Sequence, residues 1–189
     1  MWDESINPDT AIANFAADLG KPQESKGSFN LDYKDVCTKY NIVGCPFIQS
    51  SNGLCRISNC AIDISSWRAM LLALTDEITA VAVHNCRLTQ QHIVDLAAAS
   101  TEKGFKYVKL DYLDLSAEAK LSLSTFLAAD VKVEYVSMRG CGLNDTIITD
   151  NTAALTSNFY LKGLNLSHNE ITDIGMTALC TLLRCDNGR

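Results

Sequence analysis

No uninterrupted apolar run in this chain exceeds six residues, Ala69 to Leu74. A membrane-crossing helix needs about eighteen, so a spanning segment is not expected. The first ten residues, MWDESINPDT, contain neither a basic stretch nor an apolar one, which argues against a secretory leader. Basic clusters are missing as well. With 16 Lys and Arg against 22 Asp and Glu the formal net charge is −6, and the phosphate-neutralising footprint of a nucleic-acid binder is not there. Paired Cys-x-x-Cys spacing is absent from the eight cysteines at 37, 45, 55, 60, 86, 141, 180 and 185, which excludes a zinc ribbon and a dense disulfide framework. Reduced thiols in a cytoplasmic protein are expected instead. There is no Gly-rich phosphate loop, no His-x-x-x-His and no carboxylate cluster with metal spacing. His84, His92 and His168 are the only histidines, and no motif sets any of them beside a nucleophile. His84 with Cys86 does not make a dyad, because the two point to opposite faces of a strand end. The expectation is a non-enzyme without metal, cofactor or small-molecule substrate.

What remains is ordinary globular composition, 47% hydrophobic and 20% charged over 189 residues. Its order is not ordinary. "LKGLNLSHNEITD", residues 161 to 173, places apolar residues at offsets 0, 3 and 5, Asn at 8 and an apolar residue at 10. The same template fits Ile78, Val81, Val83, Cys86, Leu88 and again Val133, Val136, Met138, Cys141, Leu143. Phe105, Val108, Leu110, Leu113, Leu115 fit with Leu in place of Cys or Asn, and a weaker copy beginning at Asn52 runs through Cys55, Ile57, Cys60 and Ile62. Starts at 52, 78, 105, 133 and 161 are 26, 27, 28 and 28 residues apart, an internal repeat.

Offset 11 carries Asp63, Thr89, Ser116, Asn144 and Thr172, all residues that cap helix N-termini by accepting an exposed backbone N–H. Each unit should therefore run strand, turn, helix. The helices supply a buried face of Trp67, Met70 and Leu74, then Ile93 and Leu96, Leu123 and Leu127, and Met176, Leu179 and Leu183. The unit starting at 133 has Asn151 where an apolar residue is expected and Leu155 one turn later, so its helix over 144–157 should be shifted or broken.

"VAVHNCRL", "VKLDYLDL", "VSMRGCGL" and "LNLSHNEI" resemble the leucine-rich repeat, and the period resembles its ribonuclease-inhibitor-like class. The resemblance implies an α/β solenoid of about five repeats, with parallel strands on a concave face and helices on the convex face. It also implies that Cys60, Cys86 and Cys141 fill the small buried turn position, while Cys180 takes a core or neutral role. Repeats are expected over 52–185, preceded by a flexible arm at 1–30 with a short helix over "TAIANFAADL" and a capping helix and turn at 31–51. Within that cap Tyr33, Val36, Cys37 and Tyr40 are spaced for a helix that stops at Pro46 and is followed by an extended stretch. "LDYKDVCTKYNIVGCPFI" is similar to the segment that leads into the leucine-rich-repeat subunits of the axonemal nexin–dynein regulatory complex. Residues 186–189 read as a tail or the start of a truncated further repeat, so either the array continues or a partner covers its uncapped C-terminal end.

Outward residues on successive parallel strands stand about 4.8 Å apart. Offset 2 reads Leu54, Ala80, Tyr107, Tyr135, Gly163, so two tyrosines should stand side by side, with Lys109, Asp111, Tyr112 and Arg139 around them. Tyr and Arg are over-represented among interface hot spots, which makes these six residues the candidate protein-binding site. The leading expectation is a protein-interaction scaffold in a ciliary, flagellar or other cytoskeletal assembly. The alternatives are a GTPase activator, since Ran-activating proteins use this repeat class, and a ribonuclease-inhibitor-like regulator, whose known members are longer and more acidic on the concave face.

Overall fold

Val81 and Val83, like Val108 and Leu110, alternate with polar or small residues, the period at which an extended chain sends side chains to opposite faces. In the computed structural model of the chain all four are buried and lie on strands. The structure describes residues 17, 18, 21, 25–128 and 131–184, the last four by backbone alone. Strands β1 (Ile48–Ser51), β2 (Leu54–Ser58), β3 (Ala80–His84), β5 (Tyr107–Asp111), β7 (Tyr135–Ser137) and β8 (Gly163–Asn165) form one sheet in the order β1-β2-β3-β5-β7-β8. Beyond it β4 (Arg87–Leu88) and β6 (Asp114–Leu115) make a short parallel pair. From β2 to β8 every pairing is parallel, and a parallel neighbour is reached only through a long crossover. The turn and helix of each unit supply it. The result is a mixed α/β fold of the leucine-rich-repeat-like kind.

The register is constant. Leu54, Ala80, Tyr107, Tyr135 and Gly163 are successive partners, and so are Arg56, Ala82, Lys109, Ser137 and Asn165. A slip of one residue would turn the buried pairs of β2, β3 and β5 to the solvent, so burial itself holds the register there. Seven residues after each start the chain turns through the left-handed region, at Asn59 (φ 57°), Asn85 (φ 50°), Tyr112 (φ 54°), Gly140 (φ 65°) and His168 (φ 60°). One residue later comes the small-residue position. Cys86 and Cys141 are buried there, and the Cys141 thiol donates to the Leu110 carbonyl at 2.8 Å. Asn169 does more, accepting from the N–H groups of Cys141 (2.9 Å) and Leu143 (3.1 Å) and donating to the carbonyls of Met138 and Leu166 (2.8 Å each). Cys60 is only partly buried, its sulfur 3.9 Å from that of Cys86, and desolvation pushes its thiol up to about 12.

The helices are α1 (Phe29–Lys39), α2 (Ile64–Ala73), α3 (Gln90–Lys103), α4 (Ala117–Leu121), α5 (Leu123–Phe126), α6 (Asp145–Asp150), α7 (Thr152–Ser157) and α8 (Asp173–Arg184), of which α2, α3, α4, α6 and α8 start where the caps predict. Asp63, Ser116 and Asn144 accept the N–H groups of Ser66, Ala119 and Ile147. Thr89 is capped reciprocally with His92, whose Nδ1 accepts the Thr89 N–H at 3.2 Å. Thr172 accepts the Ile174 N–H at 3.3 Å and gives its own proton to Asp145 Oδ2 at 2.6 Å. Asp145 Oδ1 also takes the N–H groups of Thr172 (2.8 Å) and Gly175 (3.0 Å), so one carboxylate ties the starts of α6 and α8 together. These bonds, that of the Thr172 hydroxyl foremost, hold its pKa below the usual carboxylate value. The helix over 144–157 is broken, as its pattern predicts. Asn151 is buried between α6 and α7 and bonds back to the Ile147 carbonyl at 2.7 Å.

Trp67, Met70, Leu74, Ile93, Leu96, Leu123 and Leu127 are buried as expected. Met176 is not; half of it is exposed, with Ile174 at 70% and Cys180 exposed beside it. The reason is the sheet order. Among the described residues nothing lies beyond β8, so α8 has no further unit to pack against on that side. Leu183 falls where only the backbone is described.

The segment leading into the sheet differs from expectation. α1 begins at Phe29 rather than 31, capped by Ser28, and Asp32 accepts from Ser25 (2.8 Å) and the Lys26 N–H (2.6 Å). Residues 48–51, in the stretch expected to be extended after Pro46, form β1, antiparallel to β2 across a hairpin at Asn52 (φ 49°) and Gly53 (φ 75°). Both residues sit at the positive φ that a two-residue hairpin loop requires. The expected arm makes contact with α1 where it is described. Asp18 accepts hydrogen bonds from Lys21 and Tyr40, which pull its pKa down to about 2. The helix expected over 10–19 and the tail at 186–189 lie for the most part outside the described residues.

Between α2 and α3 the Arg68 guanidinium meets Asp95, Nε to Oδ2 at 2.5 Å and Nη2 to Oδ1 at 3.2 Å, both side chains almost fully buried. Gln91 adds a hydrogen bond to Asp95 Oδ1 at 2.8 Å. Arg68→Ala leaves the carboxylate buried without its cation and is expected to cost about 3–5 kcal/mol in denaturant unfolding, whereas Arg68→Met with Asp95→Leu should restore most of it. A single-variant loss below about 1 kcal/mol would mean that water reaches the pair.

Candidate protein-binding face

Strand spacing dictates what stands on the outer face of the sheet. Tyr107 and Tyr135 are register partners, and their rings stack with centroids 5.0 Å apart and planes 6° from parallel. That separation is the strand spacing itself, so adjacent tyrosines at one offset have little choice but to stack. Both remain exposed, Tyr107 at 47% and Tyr135 at 41%. The next partner is Gly163, where an added Cβ would come within 2.8 Å of Tyr135 Cδ1. Tyr135 therefore lies over bare backbone. On the other side of Tyr107 stands Ala80, so the two rings rise between small residues.

A second cluster lies where the strands end. Tyr112 occupies the left-handed turn, and its ring covers Gly140, where a Cβ would meet Tyr112 Cδ1 at 2.5 Å. The Arg139 guanidinium sits 5.3 Å from the centroid of the Tyr112 ring and donates from Nη2 to His168 Nε2 at 2.8 Å. Because arginine only donates, that nitrogen of His168 accepts and the ring carries its proton on Nδ1. His84 and His168 flank Tyr112, with ring centroids at 5.4 and 6.5 Å. Asp111 does not pair with the guanidinium. Its Oδ1 accepts from the Ser137 hydroxyl (2.5 Å) and the Arg139 backbone N–H (3.2 Å). Arg139 Nε is buried with no hydrogen-bond partner.

The six residues expected to form one group thus divide into two. Tyr107 and Tyr135 meet, as do Tyr112 and Arg139, but Arg139 follows Tyr135 by four residues and Tyr112 follows Tyr107 by five, about 13 to 16 Å of extended chain at about 3.3 Å per residue. Tyr112 falls after the strand, beyond the turn, and its ring leans along the strand ends rather than back over the sheet. Lys109 stands between them, exposed, partnered in register by Ala82 and Ser137, and without an ion pair among the described residues. His84 and His168 belong to the second cluster and were missed as site residues. The signal was there, since His84 shares its offset with Asp111 and Arg139, and His168 shares that of Tyr112. Where the strands begin, Glu134 bridges Lys106 (3.3 Å) and Lys162 (2.8 Å), and the Lys162 hydrogen bond above all holds its pKa down.

Among the described residues no group of three or more His, Cys, Asp or Glu side chains could hold a metal ion, and no helix is long and apolar enough to cross a membrane. Residues 157–180 match a family model described as Leucine Rich repeat, which supports a leucine-rich repeat protein. Such repeats serve in general as protein-interaction modules. Comparison with curated proteins gives no match.

Gly163→Ala should drive the Tyr135 ring off the backbone it covers. The expected outcome is a loss of about 1 kcal/mol, the worth of an aromatic pair, with increased nitration of Tyr135 by tetranitromethane. A variant as stable as its parent, with Tyr135 nitrated no faster, would show that the ring does not rest on Gly163.

Proposed function

We propose that this chain is a non-catalytic docking module, a ribonuclease-inhibitor-like solenoid of about five repeats that binds an extended protein segment along the outer face of its parallel sheet. The observation that carries the reading is the Tyr107–Tyr135 stack: two large rings, exposed and held parallel by register, with the small residues Ala80 and Gly163 on either side. Rigid aromatics lose little rotamer entropy on binding and offer broad apolar area with a polar tip, the properties that make tyrosine an interface anchor. Lys109 and the Tyr112–Arg139–His168 cluster supply polar contacts further along the same strands, so a bound segment can be held at two points. The likeness of residues 31–48 to the nexin–dynein regulatory complex subunits adds a setting, a structural subunit of a ciliary or other cytoskeletal assembly in the cytoplasm.

Peptides selected from a random displayed library against the folded chain provide the test. Tyr107→Ala with Tyr135→Ala should weaken them by about 2 kcal/mol or more, about thirtyfold, without loss of the folded state. Selected peptides indifferent to both tyrosines would put the binding site elsewhere. In ciliated cells the tagged parent chain should stay in the detergent-insoluble cytoskeletal pellet, and full release into the soluble fraction would remove the assembly reading.

A further inference from the structure

The charge on this face runs against that of the chain. Of the residues just before the strands, Lys106 and Lys162 outnumber Glu134. Among the outward residues that follow, Arg56, Lys109 and Arg139 stand with one acid, Asp111, whose Oδ1 is already occupied by the Ser137 hydroxyl and a backbone N–H. Five cations and two carboxylates leave the face positive, on a chain whose formal net charge is −6. Arg139 is the most prepared of the five. Its guanidinium is held by Tyr112 and His168, neither of which carries negative charge, and no carboxylate neutralises it among the described residues. His168 offers a second donor beside it, the Nδ1 proton left by the bond to Arg139.

Resting on the docking reading above, we infer that the segment bound along this face is an acidic peptide, one of whose carboxylates sits on Arg139. A guanidinium already fixed in place binds a carboxylate without first losing its own rotamer freedom, and charge-assisted hydrogen bonds are the stronger kind. A nucleic acid fits less well. Its charges continue beyond any one binding face, and a long polyanion would run onto the acidic remainder of this chain, whereas a short acidic segment ends where the cations end.

Fluorescence anisotropy of the full chain at low salt, with fluorescein-labelled decaglutamate, decalysine and decathymidylate as probes, tests the assignment. Decaglutamate should bind and decalysine should not. Arg139→Gln should weaken decaglutamate roughly tenfold or more, the loss of a hydrogen bond between charged groups. Lys109→Gln, a change on the strand surface that leaves the packing of Arg139 intact, should weaken it several-fold, and the exposed Lys34→Gln on α1 should leave it unchanged. Absence of decaglutamate binding, indifference to both Arg139→Gln and Lys109→Gln, or tighter binding of decathymidylate than of decaglutamate would each overturn the inference. Tyrosine-dependent library peptides that prove not to be acidic would leave the docking reading standing and remove this one alone.

Discussion

Parallel pairing in constant register is the constraint on which the rest depends. It turns a position within a unit into a column across the sheet, at a spacing of about 4.8 Å. Whatever the sequence places at one offset must therefore coexist with its counterparts on both sides. Tyrosine beside tyrosine becomes a stack, and tyrosine beside glycine becomes a ring lying on backbone. The same rule runs along the left-handed turns, where Asn85 donates to Asn59 at 2.9 Å and Tyr112 spreads over Gly140. A glycine at 140 or 163 thus acts as space for a neighbour's ring, and at 140 the positive φ adds a second reason for it.

What holds the register is distributed along the chain. Buried Val and Leu residues fix which face of the central strands turns inward, side-chain caps fix where α2, α4 and α6 begin, and Asn169 carries four hydrogen bonds, three of them to the backbone of the neighbouring unit. Burial is continuous along α2 from Ser66 to Ala73, where the Trp67 indole N–H reaches the His92 carbonyl at 3.1 Å and Arg68 meets Asp95. Burial lessens toward β8 and α8, where Leu164, Leu166 and Leu179 are only partly buried and Ile174 and Met176 face out. The candidate face straddles this gradient: Tyr107 lies on β5, in the middle of the sheet, while Gly163 and His168 belong to the last described unit.

Most of the fold was legible because the repeat is periodic. Five starts and five capping residues locate the strands and helices without any knowledge of their contacts, and Asn151 announced the break between α6 and α7. The tyrosine stack followed from offset arithmetic alone. Features that depend on a single local conformation were harder to see. Asn52-Gly53 is a hairpin signal, but Asn52 also begins the weakest copy of the template, and the repeat hid the turn. Met176 matched the helical pattern, yet burial needs a neighbour, and periodicity does not say whether one is present. The candidate site divided because Tyr112 lies past the left-handed turn, where strand alternation no longer says which way a side chain points. For His84 and His168 the part played beside Arg139 and Tyr112 depends on a cross-unit contact that spacing does not encode.

Register places the Tyr107 ring face to face with that of Tyr135. Aromatic-selective proton NMR of the chain in solution tests it directly. The account predicts strong ring-to-ring nuclear Overhauser effects between Tyr107 and Tyr135, and an upfield shift of Gly163 α-protons lying under the Tyr135 ring. Rings that show no mutual contact, or that contact residues two positions up or down the neighbouring strand, would contradict the register and with it the binding face built upon it.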